Sequence, residues 1–238
     1  MEVEEMHMKK TMFTPVRSKR TFEDVSQQMK ELIIQGMLRP GDKLPPEAEL
    51  SKQFRVGRQT VREALRILEL SGLISIQKGF GGGPTVRDNV VGRATEVLLD
   101  AFKMAKISFD EVTTARLAIE KAVLNEALDR ADDDDIKSLK ENISKAKDQV
   151  ANKEIPIDTT FEFHLLLAKA SKNNVFVILV EIINAINRHL RGRNPPNFRT
   201  VKYFLQKHEE ILEALIRKDR DQAIHLLEKD LMAIRRPS

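Results

Sequence analysis

From Thr21 onward the apolar positions recur mostly every three or four residues, the period of helices that bury one face. Residues 21–37 read as the first such helix, with Val25, Met29, Leu32, Ile33 and Gly36 at helical spacing. Arg39-Pro40-Gly41-Asp42 punctuates the chain as a turn, and Lys43-Leu44 reads as a brief strand. Pro45 and Pro46 then open a short helix. In it Leu50 and Phe54 face inward, and Glu47 and Glu49 suit the positive end of the helix dipole. Val56-Gly57 turns the chain into a helix over residues 58–71. Its buried stripe is Val61, Leu65, Leu68 and Leu70, which leaves Arg58, Gln59, Arg62 and Arg66 outside. Gly72 stops it. Residues 73–77 alternate as a strand, the glycine run 78–84 reads as a hairpin tip, and Thr85-Val86-Arg87 returns as the second strand.

After a short polar stretch the pattern is helical to the end. Residues 94–104 carry an apolar face. Ser108-Phe109-Asp110-Glu111 reads as a capping box opening a helix through Arg116, Ile119, Val123 and Ala127. The acidic run Asp132–Asp135 reads as the cap and first turn of a helix over 136–150, since no calcium-loop spacing follows it. Asp158 is expected to cap a helix over 159–171, followed by helices over 174–190 and 200–218 and a last one capped at Asp219. The expected fold class is mainly α. A flexible basic arm (1–20) leads into an N-terminal unit of three helices and a small β-hairpin (21–88). A linker (89–93) joins it to a C-terminal all-α bundle (94–236).

Two short helices at a tight turn, arginines on the second and a glycine hairpin after it read as a winged helix-turn-helix for DNA. Charge fits only locally. The net charge of +4 and pI of about 9.2 are mild. The basic residues gather at Arg17, Lys19 and Arg20 and at Arg55, Arg58, Arg62 and Arg66. A basic run often marks no more than a solvated face, but here it falls on the turn element. The absence of cysteine excludes disulfides, thiol catalysis and thiolate metal sites. No apolar run reaches membrane-spanning length and the first residues are charged, so the chain is expected to be soluble and cytoplasmic.

The spacing L-P-x-E-x-x-L, then V-x-R-x-T-V-R-x-A-L-x-x-L-x-x-x-G-L and a glycine wing, resembles the GntR type of bacterial transcription regulator. Leu44, Pro45, Glu47, Leu50, Val56, Arg58, Thr60, Val61, Arg62, Ala64, Leu65, Leu68, Gly72, Leu73 and Gly79 carry the match. Pro46 and Gly57 stand where the family usually has a hydroxyl residue, which removes a helix cap or a phosphate contact. The resemblance implies DNA contacts from Arg58, Thr60, Arg62 and the wing at Lys78 and Gly79, with Gln59 and Arg66 beside them on the outer face. Arginine suits guanine through its bidentate fork, while threonine and backbone amides suit phosphate. Thr60 also reads as a plain packed helix residue.

The C-terminal half resembles the all-helical FCD ligand-sensing domain of the FadR-type branch. R-x-x-x-E at Arg116 and Glu120, F-H at Phe163-His164, A-S-x-N ending at Asn173, and H-x-x-I-L-x-A-L from His208 carry this match. Many members hold a divalent metal on an Asp and three His. Here His164 and His208 stand in place, Thr160 occupies the Asp position and Asp230 the last His position; His225 falls too early on its helix. Two readings stay open: a Zn, Ni or Mn site on His164, His208 and Asp230, or a polar pocket without metal. Arg116 is the choice to hold an effector carboxylate, with Glu120 at i,i+4 as its other partner, and Thr160, His164, Asn173 and His208 join it as effector-binding candidates. The resemblance thus implies a homodimeric, effector-responsive regulator on palindromic operator DNA, with a small organic acid as effector. The alternatives are a metal-dependent hydrolase tethered to DNA, which lacks any evident general base, and a non-specific architectural DNA-binding protein.

Overall fold

The computed structural model describes residues 21–77, 79, 82–191 and 196–233. The expected arm over 1–20 and the wing residue Lys78 lie outside the described residues. The chain forms two compact units divided between Val90 and Val91.

In the first unit, α1 (Thr21–Ile34), α2 (Glu47–Phe54) and α3 (Arg58–Leu70) precede the hairpin β1 (Ile74–Gln77) and β2 (Gly83–Val86). α1 ends before the expected Met37. Gly36 takes a left-handed φ of +73°, and the Met37 and Leu38 amides both return to the Leu32 carbonyl. α3 packs on both other helices and on β1, burying Val61, Ala64, Leu65 and Leu68 with Val25, Met29, Leu44, Leu50, Ile74 and Val86. Leu70, expected in the buried stripe, is 64% exposed, because it lies two residues beyond Leu68 and so off the inner face. Pro46 and Gly57 stand at the N-caps of α2 and α3, and neither cap has a side-chain hydrogen bond.

The hairpin is longer than its expected return strand. Ile76 pairs with Pro84 and Gln77 with Gly83 in antiparallel register. A proline fits there because its carbonyl, which accepts from the Leu44 amide, is the group put to use. Lys43 bridges Thr85, which bears out the brief strand expected at Lys43-Leu44. Glycine is needed at position 82, where a Cβ would come within 2.3 Å of the Gln77 carbonyl oxygen.

The second unit is helical: α4 (Val90–Ala105), α5 (Phe109–Arg130), α6 (Asp133–Ala151), α7 (Ile157–Ala170), α8 (Asn174–Arg191), α9 (Phe198–Ile216) and α10 (Arg220–Met232). α4 opens at Val90, inside the stretch expected as a linker. The expected capping boxes form at Ser108–Glu111 and Asp132–Asp135, and Asp219 accepts from the Gln222 amide. Asp158 does not cap α7. The helix starts two residues earlier, after Pro156, and places Asp158 in its first turn. α7 is central, packed against α5, α6, α8 and α9, and α10 closes against α5 and α9. Phe163, Leu124, Leu139, Leu167, Ile211 and Leu227 fill the core between them.

The α3 stripe predicts a contrast. Leu65→Ala should destabilise the first unit by about 2–5 kcal/mol through a core cavity. Leu70→Ala should stay within about 0.5 kcal/mol. Hydrogen exchange of peptides from α3 measures both, and equal losses of protection would contradict the burial pattern.

Candidate functional site

Each unit carries one concentration of functional side chains. In the first, Arg58, Gln59, Arg62 and Arg66 are all exposed along α3, and Thr60 is half-buried. The tight turn before them is locked from α2: Arg55 takes a left-handed φ of 54°, and the Ser51 hydroxyl donates to the Val56 carbonyl at 2.5 Å. Gln59 donates to Glu63 at 3.2 Å. Arg62 donates to Glu47 from Nε at 3.3 Å and from Nη2 at 2.8 Å. Gly79 is exposed beyond β1 with φ +106°.

In the second unit, five charged or titratable side chains meet inside the bundle. Arg116, Glu120, His164, His208 and Asp230 are each no more than 3% exposed. They come from α5, α7, α9 and α10. Arg116 Nε donates to Glu120 Oε1 at 2.5 Å, one turn along α5. Glu120 Oε2 meets His164 Nδ1 at 2.6 Å. His164 Nε2 lies 3.3 Å from Asp230 Oδ2, and His208 Nε2 3.7 Å from Asp230 Oδ1. The His208 ring stacks on Phe163 with centroids 3.9 Å apart, which fixes its plane.

Arg116, His164, His208 and Asp230 line a cavity together with Thr160, Phe161 and Phe204, with Glu120 behind them. Its enclosed free space is small, with room for a water molecule or an ion. Arg116 Nη1, His208 Nε2 and Asp230 Oδ1 are buried without a hydrogen-bond partner among the described residues. Orphaned polar atoms around one small void indicate a polar guest.

The charges hold one another ionised. Burial pushes the Glu120 carboxyl up, but Arg116 and His164 outweigh it and bring it down to about 2. Burial pushes the His164 imidazole down, yet the Glu120 charge and the bonds to Asp230 and Glu120 leave its pKa raised. For His208 burial wins over Asp230 and favours the neutral ring. Asp230 stays well below the usual carboxylate range despite burial, because both histidines face it.

Comparison with known proteins fits both halves. Residues 21–82 match the family described as bacterial regulatory proteins, gntR family. Residues 111–232 match the FCD domain. The chain belongs to the GntR family and carries an FCD domain. The Uxu operon regulator of Haemophilus influenzae is 29% identical over 210 residues, covering 86% of this chain and 76% of its own length. The transcriptional repressor NanR of an Enterobacter species is 25% identical over 226 residues, covering 92% and 86%. The structure of Streptococcus agalactiae GntR matches the fold with a TM-score of 0.71 at 23% identity, over 91% of this chain and all of that one.

This GntR regulator is therefore a DNA-binding transcription regulator with an effector-binding domain, and not an enzyme. The hydrolase and architectural alternatives fall with that assignment. No described helix is long and apolar enough to cross a membrane.

The GntR fold brings together Arg116, Thr160, His164, His208 and Asp230 from the expected residues. It does not bring Asn173 to them. Asn173 lies at the turn between α7 and α8, where its side chain accepts from the Val175 amide. Thr160 lines the cavity, though its hydroxyl donates to the Ile157 carbonyl of its own helix. His225 is exposed, as its spacing required. Glu120 was underread. Its i,i+4 relation to Arg116 was visible, but its bond to His164 arises from packing α5 on α7, 44 residues apart in sequence.

The Glu120 shift carries a sign. Its folded pKa of about 2 lies below the ordinary 4.5, so its stabilisation is full above about pH 4.5 and is lost as pH falls through about 2. In chelator-treated protein, Glu120→Gln should cost about 3 kcal/mol near pH 6, shrinking toward pH 2. Urea unfolding followed by circular dichroism measures this, and a pH-independent difference would contradict a buried ionised carboxylate.

Proposed function

We propose that this regulator is a cytoplasmic homodimer that represses transcription from a palindromic operator and responds to a small organic acid. The observation that carries the reading is the division of labour between the units. One exposes four polar side chains, three of them arginines, along a single helix; the other buries a charged cluster beside a small polar cavity. Arg58, Gln59, Thr60, Arg62 and Arg66 face the major groove in this reading, and the wing at Gly79 approaches the backbone. A second copy sets a second recognition helix about 34 Å away, one DNA turn, so the operator is two-fold symmetric. The names of the Uxu and NanR relatives support regulation of an operon by repression.

His164, His208 and Asp230 offer ligand atoms all within 4.8 Å of one another. The orphaned His208 Nε2 and Asp230 Oδ1 make this donor set fit a divalent ion such as Zn, Ni or Mn. Glu120 on Nδ1 leaves His164 Nε2 as the ligating nitrogen, the usual carboxylate support of a metal-bound histidine. A divalent ion held there would supply positive charge that attracts an anion. Arg116, whose Nη1 has no partner, then binds the effector carboxylate. Because the void is ion-sized, Phe161 or Phe204 must move aside to admit the acid.

Arg58→Ala and Arg62→Ala should each weaken operator binding by about 1–3 kcal/mol, the worth of a bidentate base contact. Electrophoretic shifts with a duplex enriched from a random library measure this, and unchanged affinity and base preference would remove the assignment. Protein purified without chelator should carry about one divalent ion per chain by elemental analysis, lost in Asp230→Ala. Metal-free protein that refuses Zn, Ni and Mn in titration would leave the polar-pocket reading.

A further inference from the structure

Glu47 sits on the face of the helix-turn-helix where a carboxylate is least expected. It is the first residue of α2, and its carboxylate reaches across to α3 to grip Arg62 on the Nε–Nη2 edge. That edge is side-on. The opposite Nη1–Nη2 edge of the guanidinium is left open, and this is the edge that matches the paired acceptors of guanine in the major groove.

The pair contributes little to folding. Arg62 is 59% and Glu47 35% exposed at the side chain, and water and salt screen an ion pair in that setting. Its cost for DNA binding is plain, since a carboxylate beside the recognition helix repels phosphates. The hydrogen bonds from Arg62, with the charge of Arg58 adding, hold Glu47 ionised. What the pair does supply is order: an arginine loses rotamer freedom when fixed, and here part of that loss is met before DNA arrives.

We propose that Glu47 is a positioning residue for sequence readout, trading general DNA affinity for a preset Arg62. This rests on the reading that Arg62 contacts bases. The test uses the full-length protein, a duplex it enriches from a randomised library, and a shuffled duplex of equal length, over a range of salt.

Glu47→Gln removes the charge. It should bind shuffled DNA several-fold more tightly, with a salt slope steeper by about one phosphate, while the enriched-to-shuffled ratio drops about tenfold. Glu47→Asp keeps the charge but is one methylene shorter. It should lower the ratio while leaving the salt slope unchanged. A ratio unchanged in both variants overturns the proposal, as does loss of hydrogen-exchange protection in α2 in either, which would make the pair a structural device. Arg62→Ala separates the two failures. If it leaves the ratio intact, the base-contact reading fails and this proposal with it; if it lowers the ratio while the Glu47 variants do not, only the positioning role fails.

Discussion

A charge can stay inside a helical bundle only when another group answers it, and the second unit is built around that requirement. Arg116, Glu120, His164, Asp230 and His208 form one run of alternating demand, in which removing any member strands its neighbour. Four helices meet at the run, so their mutual placement is set by hydrogen-bond lengths as well as by apolar packing. Phe163 belongs to both systems, filling the core and supporting the His208 ring. Such a cluster is a poor way to gain stability compared with apolar side chains of similar volume.

The first unit follows the opposite logic. Its core is small and mainly apolar, and the side chains of Arg58, Gln59, Arg62 and Arg66 lie outside it. The hydroxyl-free caps at Pro46 and Gly57 leave the first amides of α2 and α3 without side-chain partners. The turn is held instead by Ser51 on the Val56 carbonyl. Packing fixes where α3 lies, and a polar contact from α2 reaches one of its arginines, Arg62.

Much of this was legible because it is local. The two capping boxes depend on residues three apart, so Ser108–Glu111 and Asp132–Asp135 could be read directly and formed as read. Gly72 and the glycine wing were visible for the same reason. The errors came where one local signal outbid another. Asp158 has a cap's chemistry, but Pro156 starts the helix first. Leu70 continues an apolar run yet faces solvent, since the helix turns by a fixed angle whatever the residue. The cluster was half legible. His164, His208 and Asp230 followed from the family pattern, whereas the Glu120–His164 and Glu47–Arg62 bonds join residues that only the tertiary fold makes neighbours. Asn173 was a motif residue serving a turn.

The parallel alignment of α5 and α7 has a mechanical consequence. Arg116 lies under Phe161, and one turn on Glu120 meets His164, so the two helices are pinned at two successive rungs. Sliding one past the other by a single residue rise would exceed the slack of both rungs together. The pair therefore moves as one rod, and whatever draws His164 sideways must carry α5 with it. From the start of α5 the covalent path runs back through α4 and β2 to the wing and α3. A pull of atomic size at the buried histidine thus meets a stiff first link within the bundle.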